Sequence, residues 1–114
     1  FHNPLGVTMS LERRKKLIDL ANHYNVPLIE DDPYGKLIFE GETLPSIAAL
    51  DAEYNNCCDG DFSGNVIYTS TFSKILAPGL RIGWMIGPAE VIKRKEFELR
   101  YLVKYPKYRT LVIE

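Results

Sequence analysis

Apolar residues recur at helical spacing near the start of the chain. These positions are Leu17, Ile18, Ala21 and Tyr24, while the basic residues 13–16 begin a polar side. Ser10 is a residue type that caps helix N-termini, and the acidic Glu12 suits the positive end of a helix. The pattern therefore predicts a helix that is capped by Ser10 and runs to about Tyr24.

Three short apolar runs are typical of buried β-strands. They cover residues 26–30, 66–69 and 82–86. Asp31-Asp32-Pro33-Tyr34-Gly35 ends the first run, because Pro33 has no N–H to donate and keeps Asp32 extended. We expect each run to form one strand of a sheet.

The segments between the strands differ in character. Residues 40–64 are loop-rich, with a short helix expected near 46–52. Pro88 suits the first position of a charged helix that extends to about Leu102. Strands separated by helices predict an α/β fold, in which both faces of the sheet are covered.

Composition excludes several classes of protein. With 46% hydrophobic residues, a net charge of −1 and no long apolar run, the sequence favours neither a membrane span nor bulk nucleic-acid binding. It begins Phe1-His2-Asn3 with no signal segment, and we expect a piece from the middle of a longer chain. The adjacent Cys57 and Cys58 suit neither a mutual disulfide nor a zinc site, so no metal is expected.

Two cations stand alone in the centre of the sequence. Between Leu37 and Ile92 the only Lys or Arg residues are Lys74 and Arg81, and both follow a predicted strand amid hydroxyls, Gly and Pro. Such residues at the end of a strand suit an anionic ligand held at the carboxyl edge of a sheet. Two ordinary surface cations in a loop are the alternative interpretation.

Four short blocks give the chain a specific resemblance. In order along residues 1–95 they are Asn3-Pro4-x-Gly6, Asp31-x-x-Tyr34, Thr71-Phe72-Ser73-Lys74 and Arg81-x-Gly83-Trp84. With these blocks the chain resembles the class I/II aminotransferases, which are fold-type-I enzymes dependent on pyridoxal 5'-phosphate (PLP). It is most similar to the branch that contains 2-aminoadipate and aromatic aminotransferases.

The resemblance implies catalytic roles for three residues. Lys74 would bind the cofactor aldehyde covalently and later carry a proton, which an arginine is too basic to do. Asp31, rather than Asp32, would contact the pyridine nitrogen, because Asp31 stands three residues before Tyr34. Tyr34 and Asn3 would hydrogen-bond the phenolic oxygen of the ring. Outside this family, Asp31 and Asn3 suit a cap or a turn, and Tyr34 a core or turn aromatic.

The resemblance also implies a phosphate site. Arg81 would bind the cofactor phosphate, and the hydroxyls of Thr71 and Ser73 would add neutral donors. The family usually has Ser where this chain has Thr71, which keeps the hydroxyl. It commonly has Thr where this chain has Leu5, so a polar group is lost near the first turn.

By the same resemblance, residues 1–95 are part of the large PLP-binding domain, a mostly parallel sheet flanked by helices. Residues 96–114 are a helix end and a divergent tail. The family's phosphate-binding loop and ring-stacking aromatic belong upstream, and its carboxylate-binding arginine belongs downstream. The expected activity is amino transfer from an amino acid to a 2-oxo acid by a cytoplasmic homodimer, with the isolated piece inactive.

Two other functions stay open at this point. Some winged-helix transcription regulators carry an aminotransferase-like domain with the same motifs, in which PLP acts as a sensed ligand. The tail from Lys93 to Arg109 interleaves basic residues with tyrosines, a pattern that can bind single-stranded nucleic acid. A solvated helix face is the commoner cause of such a pattern, so nucleic-acid binding is not expected.

Overall fold

The computed structural model describes residues 2–55, 64–94 and 109–110. Helix α1 covers Leu11–Tyr24, and the Ser10 side chain accepts a hydrogen bond from the Arg13 N–H, which confirms the predicted cap. The helix ends at Asn25, whose left-handed backbone (φ 52°) lets its N–H return to the Ala21 and Asn22 carbonyls. None of the helices in these ranges is long and apolar enough to cross a membrane.

Four strands form one sheet in the order β1-β2-β3-β4. Their bounds are Leu28–Asp31 for β1, Val66–Thr71 for β2, Ile82–Ile86 for β3 and Arg109–Thr110 for β4. β1 runs parallel to β2, β2 antiparallel to β3, and β3 parallel to β4. The sheet is therefore mixed, with two parallel pairings and one antiparallel pairing.

Strand β3 has the predicted bounds, whereas β2 ends two residues later than predicted. The first strand was predicted to begin at Val26, but β1 begins at Leu28. The Val26 N–H donates to the Ala21 carbonyl at 2.9 Å, so this residue completes the end of α1 instead of pairing in the sheet. Strand β4 carries no signal that we recognised in the sequence.

Helix α2 covers Ile47–Tyr54, close to the short helix predicted near 46–52. Ser46 caps it by accepting from the Ala49 N–H at 3.1 Å. The two oxygens of Glu30, on β1, accept the Ile47 and Ala48 N–H groups at 2.9 Å each. The first turn of α2 is thus tied to the strand that leads into the predicted site.

Residues 89–94 are helical, and the Pro88 carbonyl accepts from the Val91 and Ile92 N–H groups. Pro88 therefore precedes the helix rather than forming its first residue. The predicted continuation to Leu102 lies outside the described residues, as do Cys57, Cys58 and most of the predicted tail.

The core lies between the helices and the sheet. α1 packs on α2 and α2 on β2, and the buried apolar residues are Ile18, Ala21, Ala48, Leu50, Val66 and Ile92. Asp51 is fully buried with them, where its carboxylate accepts from Asn22, Asn55 and the Val66 N–H. Three donors satisfy this buried charge and tie the three layers together.

Candidate functional site

One edge of the sheet collects most of the predicted site residues. β1 and β2 are parallel, so Asp31 and the segment after Thr71 leave the sheet on the same side. β3 runs antiparallel to β2, with Gly83 opposite Thr71, so Arg81 enters the sheet at that side too. The topology therefore places the acid, the lysine segment and the arginine at the same end of adjacent strands.

Asp31 is the last residue of β1 and is exposed. Its register partner on β2 is Thr69, whose hydroxyl donates to Asp31 Oδ1 at 3.1 Å. Alternation along the strands puts these two residues on the sheet face opposite Glu30, which contacts α2. The Asp31 carboxylate is thus fixed through Oδ1 on the face that α2 does not cover, and no donor in the described part of the chain bonds to Oδ2.

Lys74 is exposed within a tight turn over residues 72–77. The Leu76 and Ala77 N–H groups both donate to the Phe72 carbonyl, at 2.9 and 3.0 Å. The Phe72 N–H donates to the Ile82 carbonyl at 3.1 Å, and the Phe72 ring lies 4.6 Å from that of Trp84. The turn that carries the lysine is therefore anchored to the start of β3 by backbone and by ring packing.

The Thr71 hydroxyl closes the same turn. It lies 2.9 Å from the Ile82 carbonyl, which can only accept, so the single hydroxyl proton points there. Thr71 Oγ1 also accepts the Ser73 N–H at 3.1 Å and lies 3.0 Å from Ser73 Oγ. Thr71 is consequently engaged with protein groups, whereas the Ser73 hydroxyl, within the described residues, bonds only to Thr71.

Arg81 lies between the 3₁₀ turn Pro78–Leu80 and β3. Its backbone is left-handed (φ 53°), a conformation that a non-glycine residue adopts at a cost of about 1–2 kcal/mol. Arg81 is an exposed residue, and its side chain projects from this strained position of the backbone. Strain of this kind is common where a side chain must be aimed at a functional site.

Tyr34 and Asn3 are placed differently. Tyr34 is half-buried, in the loop that directly follows β1, and its carbonyl accepts the Leu37 N–H at 2.8 Å. Asn3 lies in an exposed turn, which the His2 carbonyl and the Gly6 N–H close at 2.7 Å. Within the described ranges no hydrogen bond joins the Asn3 side chain to Asp31, Tyr34 or Lys74. Tyr34 thus lies in the loop at the site edge, whereas a role for Asn3 at the site stays a prediction.

Sequence reasoning missed Thr69 and Tyr68, which contact Asp31 and Asp32 from β2. Only the register of β1 against β2 reveals these pairs, because each contact joins residues of two different strands. No group of three His, Cys, Asp or Glu residues in the described part of the chain is arranged to hold a metal ion.

The sequence of the chain is similar to known proteins. Residues 1–97 match the family model for aminotransferase class I and II. An uncharacterized aminotransferase of Saccharolobus solfataricus is 52% identical over 94 residues, which are 82% of this chain and 21% of that protein. An uncharacterized HTH-type transcriptional regulator of Bacillus subtilis, YisV, is 46% identical over 94 residues, which are 82% of this chain and 17% of the regulator.

Among solved structures, the chain superposes on Pyrococcus horikoshii kynurenine aminotransferase in complex with PMP. The TM-score is 0.74 at 47% identity, and the match covers 85% of this chain and 22% of the other. The chain therefore spans about a fifth of the length of the relatives that it matches.

Proposed function

The chain belongs to the class I and II aminotransferase family, and from that membership we propose that it supplies the lysine-bearing part of a PLP site. The enzyme it serves would transfer an amino group from an amino acid to a 2-oxo acid. One observation carries the proposal. Asp31 ends β1, Lys74 follows β2 and Arg81 precedes β3, so the three residues lie at the same end of adjacent strands. Homodimer formation and a cytoplasmic location stay predictions from the family resemblance.

The residues at this edge fit PLP chemically. The Arg81 guanidinium suits the phosphate dianion, and the Ser73 hydroxyl can turn toward it by giving up one bond to Thr71. Thr71 would instead hold the turn, because its proton is committed to the Ile82 carbonyl. On the open sheet face, Asp31 Oδ2 would accept from the protonated pyridine nitrogen while Thr69 holds Oδ1.

When bound, PLP withdraws electrons from the substrate's α-carbon and so makes its proton removable. The protein must then supply a base at that carbon. Lys74 would bind the cofactor aldehyde through Nζ before substrate arrives and, once released, would accept the α-proton on the same nitrogen. Its exposure in the turn 72–77 leaves Nζ accessible for both tasks.

A chimera tests this assignment. Residues 2–94 replace the matching segment of the Pyrococcus horikoshii enzyme, and transaminase activity is measured. We expect an active chimera in which Lys74→Ala lowers kcat by about a thousandfold or more. Lys36→Ala, an exposed lysine in the loop after β1, is the matched control and should retain activity. Undiminished turnover in a folded Lys74→Ala chimera would contradict the proposal.

A ligand-sensing domain of a transcription regulator is the second candidate. Its support is the 46% identity to the Bacillus subtilis regulator, which is close to the identity shared with the enzymes. The gene decides between the two: a winged-helix domain encoded in the same reading frame, upstream of this segment, would favour the regulator. A chimera that binds PLP but transfers no amino group would also favour the regulator.

A further inference from the structure

Asp32 directly follows β1, and three groups on β2 hold it. Its N–H donates to the Thr69 carbonyl at 2.9 Å, and its own carbonyl accepts from Ser70 Oγ at 2.8 Å. Its carboxylate oxygen Oδ2 accepts from the Tyr68 hydroxyl at 3.0 Å. The neighbouring strand therefore hydrogen-bonds to the N–H, the carbonyl and one carboxylate oxygen of Asp32.

The chain then folds back over this carboxylate. A Cβ atom built on Gly35 would overlap the carboxyl group of Asp32, so a larger residue there would displace this carboxylate. Pro33 fixes one backbone angle between them, and the Leu37 N–H closes the next turn on the Tyr34 carbonyl at 2.8 Å. Tyr34 thus lies in a turn whose two ends, Asp32 and Gly35, are in contact.

The Tyr68 contact persists over the whole physiological range of pH. Burial, followed by the negative charge of Asp32, raises the pKa of the Tyr68 phenol to about 12. The hydroxyl therefore stays protonated and keeps donating. A hydrogen bond to a charged group is stronger than one between neutral groups.

We propose that Asp32 is a positioning residue: bonded to Tyr68 and covered by Gly35, it fixes the turn over residues 32–35 and so sets the place of Tyr34 at the site. The position of the turn follows from the contacts alone, whereas a consequence for catalysis rests on the proposed function. The spacing to Tyr34 predicts a role for Asp31 and none for Asp32. In the structure the two acids serve opposite faces of the sheet.

The turn is tested first in the full 114-residue chain without cofactor, with Ile29→Lys as the common background, because a charge at this exposed position on β1 opposes self-association. Protection of the Leu37 amide against hydrogen exchange and the ¹³Cζ resonance of Tyr34 report its geometry. We expect Asp32→Ala to lower Leu37 protection by about tenfold or more and to shift the Tyr34 resonance. Asp32→Asn, which keeps an oxygen acceptor, should retain most of the protection. Gly35→Ala should resemble Asp32→Ala, because the added methyl displaces the carboxylate.

A double-mutant cycle separates the specific contact from general loosening. Tyr68→Phe combined with Asp32→Ala should be no worse than either change alone, since both remove the same bond. Asp19→Asn, at an exposed acid on α1, is the matched control and should leave both signals unchanged. The proposal would be overturned if Asp32→Ala kept the wild-type Leu37 protection and Tyr34 resonance. Strictly additive losses of protection in the double mutant would also overturn it.

The chimera then tests the catalytic consequence. Asp32→Ala should lower kcat by about tenfold, equivalent to about 1.4 kcal/mol, and Asp32→Asn should restore most of it. A loosened turn with unchanged kcat would overturn the positioning role. A chimera without any transaminase activity would instead refute the proposed function, and Leu37 protection would still decide whether Asp32 holds the turn.

Discussion

At the scale of single residues, neighbouring acids at the end of β1 have separate tasks. Asp31 faces the open side of the sheet with Thr69, and Asp32 is bound to Tyr68 on the side of the helices. Alternation along an extended strand produces this separation. A stretch of two acids therefore places one carboxylate on the open face of the sheet and the other on the side of the helices.

Replacing Asp31 should damage catalysis most among the acids of this segment. Asp31→Asn keeps the shape but loses the charge that stabilises a protonated pyridine nitrogen. We expect kcat of the chimera to fall by about ten- to a hundredfold. Asp32→Asn should have a much smaller effect because its oxygen still accepts from Tyr68. Steady-state kinetics check the ranking, and the reverse order would show that our assignment of the two acids is wrong.

Raising the pH should destabilise the fold through Tyr68. The phenol has a folded-state pKa of about 12, above its ordinary value of 10.0. Its contribution to stability is therefore complete below pH 10 and is lost as the pH rises toward 12. The free energy of unfolding should fall over this window, and less so in Tyr68→Phe. Urea unfolding at stepped pH measures it, and equal losses in both proteins would contradict the account.

Motif spacing predicts the residues of the candidate site, but it does not predict the groups that support them. Lys74, Arg81 and Asp31 stand out through isolation and motif spacing, and the strand order groups them at one edge. Thr69 and Glu30 did not stand out, since each acts on a partner in another element. Such contacts depend on register and layer packing, which no local pattern specifies.

At the scale of elements, local capping signals gave the most reliable bounds. Ser10 was predicted to start α1, and a helix was expected near Ser46; both serines cap the helices that follow. The start of β1 was misplaced because the end of α1 uses the Val26 N–H. A short apolar run after a helix can thus belong to the helix end, and periodicity alone does not separate these cases.

Glu30 makes a testable link between elements. Its carboxylate accepts two N–H groups at the start of α2, where the helix dipole also favours a negative charge. Glu30→Ala should lower the free energy of unfolding by about 1–2 kcal/mol, and Glu30→Gln by less. Urea unfolding followed by circular dichroism measures the change.

The matched control for this cap is Glu53→Ala. Glu53 is an exposed acid near the C-terminal end of α2, where a negative charge is unfavourable. Its removal should leave stability unchanged or slightly higher. If Glu30→Ala proved as harmless as Glu53→Ala, the two hydrogen bonds to Ile47 and Ala48 would contribute nothing to the fold.

At the scale of the whole molecule, the described surface exposes apolar side chains. Ile29 is 73% exposed on the sheet face opposite α2, and Phe39 is 92% exposed in the loop after β1. β1 is also the outermost strand of the described sheet, so one of its backbone edges is unpaired. An open strand edge beside an apolar face is a surface prone to self-association.

We therefore expect the isolated 114-residue chain to self-associate and to show no measurable transaminase activity. Ile29→Lys places a charge on the exposed face and should shift the chain toward monomer in size-exclusion chromatography. Lys16→Ala, at an exposed position on α1, is a neutral comparison. A stable wild-type monomer that transaminates by itself would contradict this view of the molecule.

Covalent trapping of the cofactor tests the central claim most directly. The chimera is loaded with a limiting amount of PLP, reduced with borohydride, digested and analysed by mass spectrometry. We predict the cofactor's mass on the peptide that contains Lys74 and no significant label on Lys36. Prior treatment with an amino acid substrate should abolish the label, because the substrate amine releases Lys74. Label on Lys36 or other lysines with Lys74 unmodified would contradict the account.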